Sequence, residues 1–209
     1  MGLFISIEGP DGSGKTTIAK MVVDKLNNEG YKTLYTREPG GVKIAENIRD
    51  IILDVKNTNL DARCEALLYA ASRRQHLVEK VIPALNDGYI VISDRFVDSS
   101  LAYQGYARGI GIDEVYSINM FAIDKTWPDL TILLDISPSV GLKRIMENRQ
   151  NEINRLDLED INFHNKVHQG YEIIKEKYKD RITLVDANKS VDEVFNQVYK
   201  LVKNKINGN

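Results

Sequence analysis

The sequence predicts an α/β fold: a doubly wound, parallel, five-stranded sheet flanked by helices. Three observations carry this reading. Short apolar runs alternate with longer segments whose apolar residues recur at helical spacing. The runs, such as Tyr89-Ile90-Val91-Ile92 and Leu130-Thr131-Ile132-Leu133-Leu134, are nearly continuous, as strands covered on both faces require. Between the first run and the first helical segment stands Gly9-Pro10-Asp11-Gly12-Ser13-Gly14-Lys15-Thr16-Thr17, which fits G-x-x-x-x-G-K-[ST]. That pattern has its physical meaning only between a strand and a helix.

The elements follow in order. Phe4-Ile5-Ser6-Ile7 belongs to a strand over 3–8, and the glycine loop leads into a helix over 15–28. A second strand, 32–36, ends in Thr36-Arg37-Glu38-Pro39-Gly40-Gly41, where Pro39 and two glycines fix a tight loop. Helices are expected over 43–54 and 62–87, the latter holding Pro83, a residue that kinks helices. The third strand, 89–94, ends in Ser93-Asp94-Arg95-Phe96 and precedes helices over 97–105 and 113–124. A strand over 130–136 leads to a helix over 138–148. Residues 147–160 are polar, and both a solvated connector and a lid closing over phosphates fit them. A helix over 158–178, a strand over 182–186 and a helix over 190–206 complete the series. No repeat or linker divides residues 1–209, which read as a single domain.

Composition narrows the function classes. The 209 residues are 43% hydrophobic and 28% charged, enough for one core and a polar surface. A net charge of −2 argues against a general nucleic-acid or anionic-membrane binder. No apolar run approaches the about 18 residues of a membrane span, and no basic segment precedes an apolar one as in a signal peptide. A cytoplasmic protein is expected. The one cysteine, Cys64, cannot form an internal disulfide and reads as a buried structural thiol on the apolar side of its helix. His76, His164 and His168 lack cysteine or acidic partners at ligand spacing, so no metal cluster is expected.

The loops after the strands carry the chemistry. Glycines let successive N–H groups of the first loop turn inward as an anion nest, and the following helix adds its positive end. Lys15 suits the β- and γ-phosphates of a nucleoside triphosphate, and Thr16 offers a hydroxyl to Mg²⁺. Arg37, at a strand end, suits a second phosphate; a surface Arg37–Glu38 pair is the competing reading. Asp94 occupies the place of an acid that manages Mg²⁺, directly or through water, with Arg95 beside it. Tyr69 and Arg73 share one helical face and could hold a flat base, although a core tyrosine with a surface arginine fits the same spacing. Asp98-Ser99-Ser100-Leu101-Ala102-Tyr103-Gln104-Gly105 is rich in groups that read a base edge and sugar; helix capping by Ser99 or Ser100 competes.

On these segments, together with Glu8 before the loop and Trp127-Pro128-Asp129-Leu130-Thr131, the whole chain resembles the bacterial thymidylate kinases. The resemblance implies a P-loop NTPase fold of nucleoside monophosphate kinase type. It also implies transfer of the ATP γ-phosphoryl group to dTMP, giving dTDP, with Mg²⁺, in a homodimer. It places Gly9, Pro10, Asp11, Gly12, Ser13, Gly14, Lys15, Thr16 and Thr17 around the ATP phosphates. Arg37 and Arg95 hold the acceptor phosphate beside Glu38 and Pro39. Tyr69 stacks on thymine, Arg73 bonds the base, Ser100 and Gln104 read its edge, and Tyr103 packs on the deoxyribose. Asp11 contacts the 3′-hydroxyl, Thr16 and Asp94 serve the metal, Arg144 lies on adenine, and Asp186-Ala187 line that base.

Two departures are informative. Some members carry an arginine where this chain has Gly12, so the resemblance is to the type whose catalytic arginine comes from the lid. Arg149 is the first candidate and Arg155 the second, joining Lys15 and Arg95 as the catalytic set. Phe96 and Tyr69 replace a usual tyrosine and phenylalanine, keeping an aromatic ring at each place. The acceptor phosphate, with a second pKa near 6, is ionised at neutral pH, so no general base is required. A kinase for another nucleotide and a nucleotide-binding regulatory protein are the alternatives. Guanine selectivity is not supported, because Asn188-Lys189-Ser190-Val191-Asp192 has one residue more than Asn-Lys-x-Asp.

Overall fold

Strand β1 (Leu3–Glu8) is buried along its whole length. It lies at the centre of a sheet of order β2-β3-β1-β4-β5. The computed structural model describes residues 2–148 and 154–208. The other strands are β2 (Thr33–Arg37), β3 (Ile90–Asp94), β4 (Leu130–Asp135) and β5 (Ile182–Asp186). All four pairings are parallel, which gives the five-stranded sheet that the apolar runs predict.

Alternation along the strands divides the core between two faces. Phe4, Val91 and Leu133 join one buried cluster. Ile5, Ile7, Ile92, Ile132 and Leu134 join the other. The second face is covered by α1 (Lys15–Asn28) through Ile18, Val22 and Leu26, and by α9 (Val191–Asn207) through Val194, Val198 and Val202. These triplets recur every three or four residues, the spacing of one helical stripe. The first face is covered by segments after β2 and β3 and by α8 (Ile161–Lys177), which contributes Phe163, Val167, Tyr171 and Ile174. The remaining helices are α2 (Lys43–Leu53), α3 (Ala62–His76), α4 (Ile82–Asn86), α5 (Val97–Ser100), α6 (Ile112–Ile123) and α7 (Pro138–Asn148). No described helix is long and apolar enough to cross a membrane.

Several helix starts follow from side-chain caps. Asp61 accepts from Arg63 N and Cys64 N. Asp160 accepts from Phe163 N, so α8 begins at Ile161 rather than at 158. Ser190 and Glu193 form a reciprocal capping box.

Three expectations are corrected. The helix over 62–87 is α3, a π-helical turn at Leu77–Val81, and then α4. Pro83 has no N–H to continue the ladder, and the wider turn absorbs the break. The helix over 97–105 is α5 followed by a π-helical stretch at Leu101–Ala107. Cys64 is exposed, not buried. The cap at Asp61 sets the rotation of α3 so that Glu65, Ala66, Ala70 and Arg73 face inward.

On the first face, α8 packs tightly against the second π-helical stretch. A Cβ at Gly170 would stand 3.1 Å from Ala102 Cα, Ala102 O and Tyr106 Cβ. Gly170→Val must therefore separate the two segments. We expect a loss of about 1–3 kcal/mol, seen as a fall in melting temperature of roughly 2–4 °C per kcal/mol for a chain of this size. An unchanged melting curve would show that this approach is not tightly packed.

Candidate active site

Sheet register assembles the site. Ile7 and Arg37 are both aligned with Asp94 across adjacent strands. The loop after β1, the Asp94-Arg95 turn after β3 and Arg37 at the end of β2 therefore meet at one carboxyl edge, where open parallel sheets bind ligands. They open on a cavity of about 1050 Å³. Its walls include Asp11 to Thr17, Arg37, Glu38, Pro39, Tyr69, Arg73, Asp94, Arg95, Ser100, Tyr103, Gln104, Arg144 and Ala187. Gly9 and Pro10 are not part of the wall; their carbonyls turn back to accept from Arg95 Nη1 (3.0 Å) and Lys15 Nζ (2.7 Å).

Gly12 explains the missing loop arginine in steric terms. Its φ is +77°, and a Cβ there would lie 2.2 Å from Gly141 O of α7. Lys15 is buried, and its Nζ also donates to Ser13 Oγ (3.2 Å). Burial, then the nearby Arg95, push its pKa from 10.5 down to about 7. An anion beside it would restore the charged form. Thr16 Oγ1 donates to Asp94 Oδ2, which places a hydroxyl and a carboxylate together, two oxygen ligands of the kind hard divalent cations take.

Arg95 joins the two central strand ends. Its φ of +75° is unusual for a side chain with a Cβ. Its guanidinium donates to Gly9 O, to Ser99 Oγ (3.0 Å) and to Asp11. Tyr103 OH donates to the other Asp11 oxygen at 2.7 Å. Burial favours protonated Asp11, but Arg95 and Lys15 outweigh it and hold the carboxyl well below the usual carboxylate range.

The second arginine pair differs from the sequence alternatives. Arg37 pairs with Glu46 at 3.0 Å, not with Glu38. Glu38 turns inward, accepting from Arg73 Nε (2.6 Å) and His76 Nδ1 (3.0 Å). Burial raises the Glu38 carboxyl, and these two partners more than offset that. Arg73 is only 2% exposed, whereas Tyr69 is half-buried and lines the cavity. The reading of a core tyrosine with a surface arginine is thus reversed. The Arg73 Nη groups donate to Ser100 Oγ, Asn119 Oδ1 and Phe96 O. Neither Ser99 nor Ser100 caps α5; Ser99 Oγ donates to Glu8 at 2.5 Å. Gln104 Nε2 donates to Glu65 Oε1 (2.8 Å), and Arg144 Nη1 to Ala187 O (3.1 Å).

The thymidylate kinase family profile matches residues 7–198. The chain is 60% identical to the thymidylate kinase of Clostridium novyi (strain NT), over 97% of this chain and 98% of that one. It is 58% identical to that of Geobacillus sp. (strain WCH70), over 99% of each. The crystal structure of thymidylate kinase from Ehrlichia chaffeensis superposes with a TM-score of 0.78 at 32% identity, covering 97% of this chain and 98% of that one. The chain belongs to the thymidylate kinase family.

Within that family frame, the two lid candidates part. Arg155 Nε donates to Ile52 O (2.9 Å) and its Nη2 to Glu65; it is buried and is not part of the cavity wall. Arg149 lies outside the described residues. Sequence reasoning assigned no role to Glu8, Tyr171 or Asn119. Glu8 is an acid ending an apolar strand, and that was its visible signal. Tyr171 sits mid-helix, 162 residues from the Gly9 carbonyl to which its hydroxyl donates at 3.2 Å, and nothing local announces it. Asp135, His168 and Glu172 offer ligand atoms within 4.8 Å of one another; Glu172 is an acidic partner four residues after His168, contrary to the expectation, and Asp135 comes from a distant strand. They are already engaged, His168 Nε2 with Asp135 (3.1 Å) and Glu172 with Lys175 (2.7 Å).

Glu8 has a pH signature. It accepts from Phe96 N (2.6 Å) and Ser99 Oγ. Burial, then Asp98, raise its pKa from 4.5 to about 7. Below the lower value the carboxyl is protonated in both folded and unfolded chains. Between the two values the unfolded chain releases the proton and the folded chain keeps it, so this group's contribution to stability is lost as pH rises. Relative to Glu8→Gln, wild type should lose up to about 1.4 kcal/mol per pH unit across that window. Urea unfolding of both proteins across it would check this, and parallel stability profiles would refute it.

Proposed function

We propose that this chain transfers the γ-phosphoryl group of ATP to dTMP, giving dTDP and ADP, in one domain spanning residues 1–209 with a lid at about 147–160. The observation that carries the reading is one cavity with two anion sites. The loop around Lys15 forms the first. Arg37 and Arg95, beside an Asp11 carboxylate held for a sugar hydroxyl, form the second. A volume of about 1050 Å³ lies at the top of the range for single small-ligand sites, roughly 300–1,000 Å³, as two nucleotides require.

The roles follow from chemistry. Backbone N–H groups of the loop and Lys15 hold the ATP phosphates, and Arg144 with Ala187 faces adenine. Arg37 and Arg95 hold the acceptor phosphate, and Tyr69 stacks on the base. Thr16 and Asp94 would hold Mg²⁺, which neutralises charge on the phosphates when bound. Transfer then rests on in-line positioning and charge neutralisation, without a general base. The lone cysteine agrees with a reducing cytoplasm.

The lid arginine is assigned to Arg149, because the Arg155 guanidinium is committed to Glu65. A coupled ADP-release assay with ATP, Mg²⁺ and a panel of nucleoside monophosphates tests the substrate; turnover of another monophosphate but not dTMP would sink the reading. In the same assay Arg149→Ala should lower kcat by about 10³-fold or more, with KM values nearly unchanged. Arg155→Ala should lower melting temperature more than kcat. The reverse pattern would move the catalytic role to Arg155.

The working unit is a homodimer. Helices α2, α3 and α6 pack side by side and expose Ile44, Ile51, Leu67 and Phe121, the last 92% exposed. Apolar side chains shared over neighbouring helices mark an interaction face. Sedimentation velocity should show a dimer, with Phe121→Glu shifted toward monomer. A monomeric wild type would exclude this assembly.

A further inference from the structure

We propose that Glu65 is a positioning residue for base selection, setting the polarity of the Gln104 amide. The proposal rests on the dTMP reading and concerns the same cavity. Glu65 is fully buried on α3. Its Oε1 receives Gln104 Nε2 (2.8 Å) and Arg108 Nε (3.4 Å), and its Oε2 receives Arg155 Nη2. A carboxylate with donors on both oxygens acts as an acceptor. Gln104 must therefore turn its NH₂ toward Glu65. Its carbonyl oxygen then points the other way, and among the described residues no donor reaches it. That oxygen is not among the sealed side-chain atoms lacking a partner, and Gln104 lines the cavity. An acceptor is thus presented to the ligand.

Ser100 is set in the opposite sense. It lies four residues before Gln104, on the same helical face, and also lines the cavity. Its Oγ accepts from Arg73 Nη1 and Nη2, each at 3.2 Å. Arginine only donates, so the Ser100 proton is left for the ligand. The wall presents a donor and an acceptor one helical turn apart. An imide edge, a carbonyl oxygen next to N–H, complements this pair, and thymine and uracil carry one. Cytosine offers an amino donor or a second carbonyl on either side of an acceptor ring nitrogen. With its ring nitrogen facing Gln104, where thymine places N–H, cytosine sets an acceptor against an acceptor. Because Arg155 also meets Glu65, the placement of the loop that carries Arg155 bears on Gln104 through Glu65.

The test is the ratio of kcat/KM for dTMP to that for dCMP. Glu65→Gln can donate as well as accept, so Gln104 is free to turn. The ratio should fall about 10- to 100-fold, the discrimination of one mis-set buried hydrogen bond, with the KM for ATP unchanged. Adding Gln104→Glu to Glu65→Gln restores an acceptor facing the base and should recover most of the ratio. General loosening would slow both substrates together and would not be rescued. Glu65→Asp keeps the charge opposite Arg155 while retreating from Gln104, and it serves the same test if Glu65→Gln fails to fold. A wild type that shows no preference for dTMP over dCMP would defeat the dTMP reading and this inference with it. A wild-type preference that survives in the folded Glu65 variants would defeat this inference alone.

Discussion

The Arg95–Asp11 ion pair is the contact on which the rest of the site depends. A glycine loop built to attract anions carries a carboxylate of its own. Burial there favours the protonated carboxyl. Arg95 is the largest influence against this, ahead of Lys15, and it reaches Asp11 because β3 lies directly beside β1 in the sheet. The left-handed backbone at Arg95 is the local strain that this reach requires. The same guanidinium holds the Gly9 carbonyl and Ser99, and Ser99 in turn holds Glu8. One side chain therefore fixes the entrance of the loop, its acid and the end of the strand that feeds it.

A second constraint is steric. Gly12 and Gly141 bring the loop and α7 together backbone to backbone: a Cβ at Gly141 would stand 2.5 Å from Asp11 O. No side chain fits between them. Position 12 therefore cannot carry an arginine, and any cation the loop offers beyond Lys15 has to come from another segment, which is the steric ground for the lid proposed above.

The fold was legible because both of its strongest signals are local. Buried parallel strands are nearly continuous apolar runs, and β1, β3 and β4 are. A glycine loop between strand and helix also announces itself. The loop residues, Arg37, Asp94 and Arg95 were readable because each sits at a strand end. What escaped was decided at long range. Cys64 and Glu65 are neighbours, and hydropathy sends the cysteine inward; the fold buries the glutamate, because Arg155 and Gln104, 90 and 39 residues away, meet it there. Arg73 looks like a surface residue until Glu38, Ser100 and Asn119 are seen around it. The π-helical stretches depend on how a helix is carried over the sheet, and only Pro83 hinted at one of them.

The pairing of charges also resolves how a chain of net charge −2 can hold two phosphate groups. Three arginines of the cavity wall are matched by carboxylates, Arg37 with Glu46, Arg73 with Glu38 and Arg95 with Asp11, and Arg155 outside the wall pairs with Glu65. A ligand therefore exchanges partners with these groups rather than adding charge to them. The exchange is not equally easy at each. Arg37 and Glu46 keep side-chain exposures of 41% and 35%, and such a pair is worth about 0–1 kcal/mol. Arg73 and Glu38 are both 2% exposed, and removing one partner from a buried pair costs about 3–5 kcal/mol. Of these pairs, Arg37–Glu46 is the one that an incoming anion would open at least cost. Arg73 is thereby held in place at the cavity wall, where it also orients Ser100.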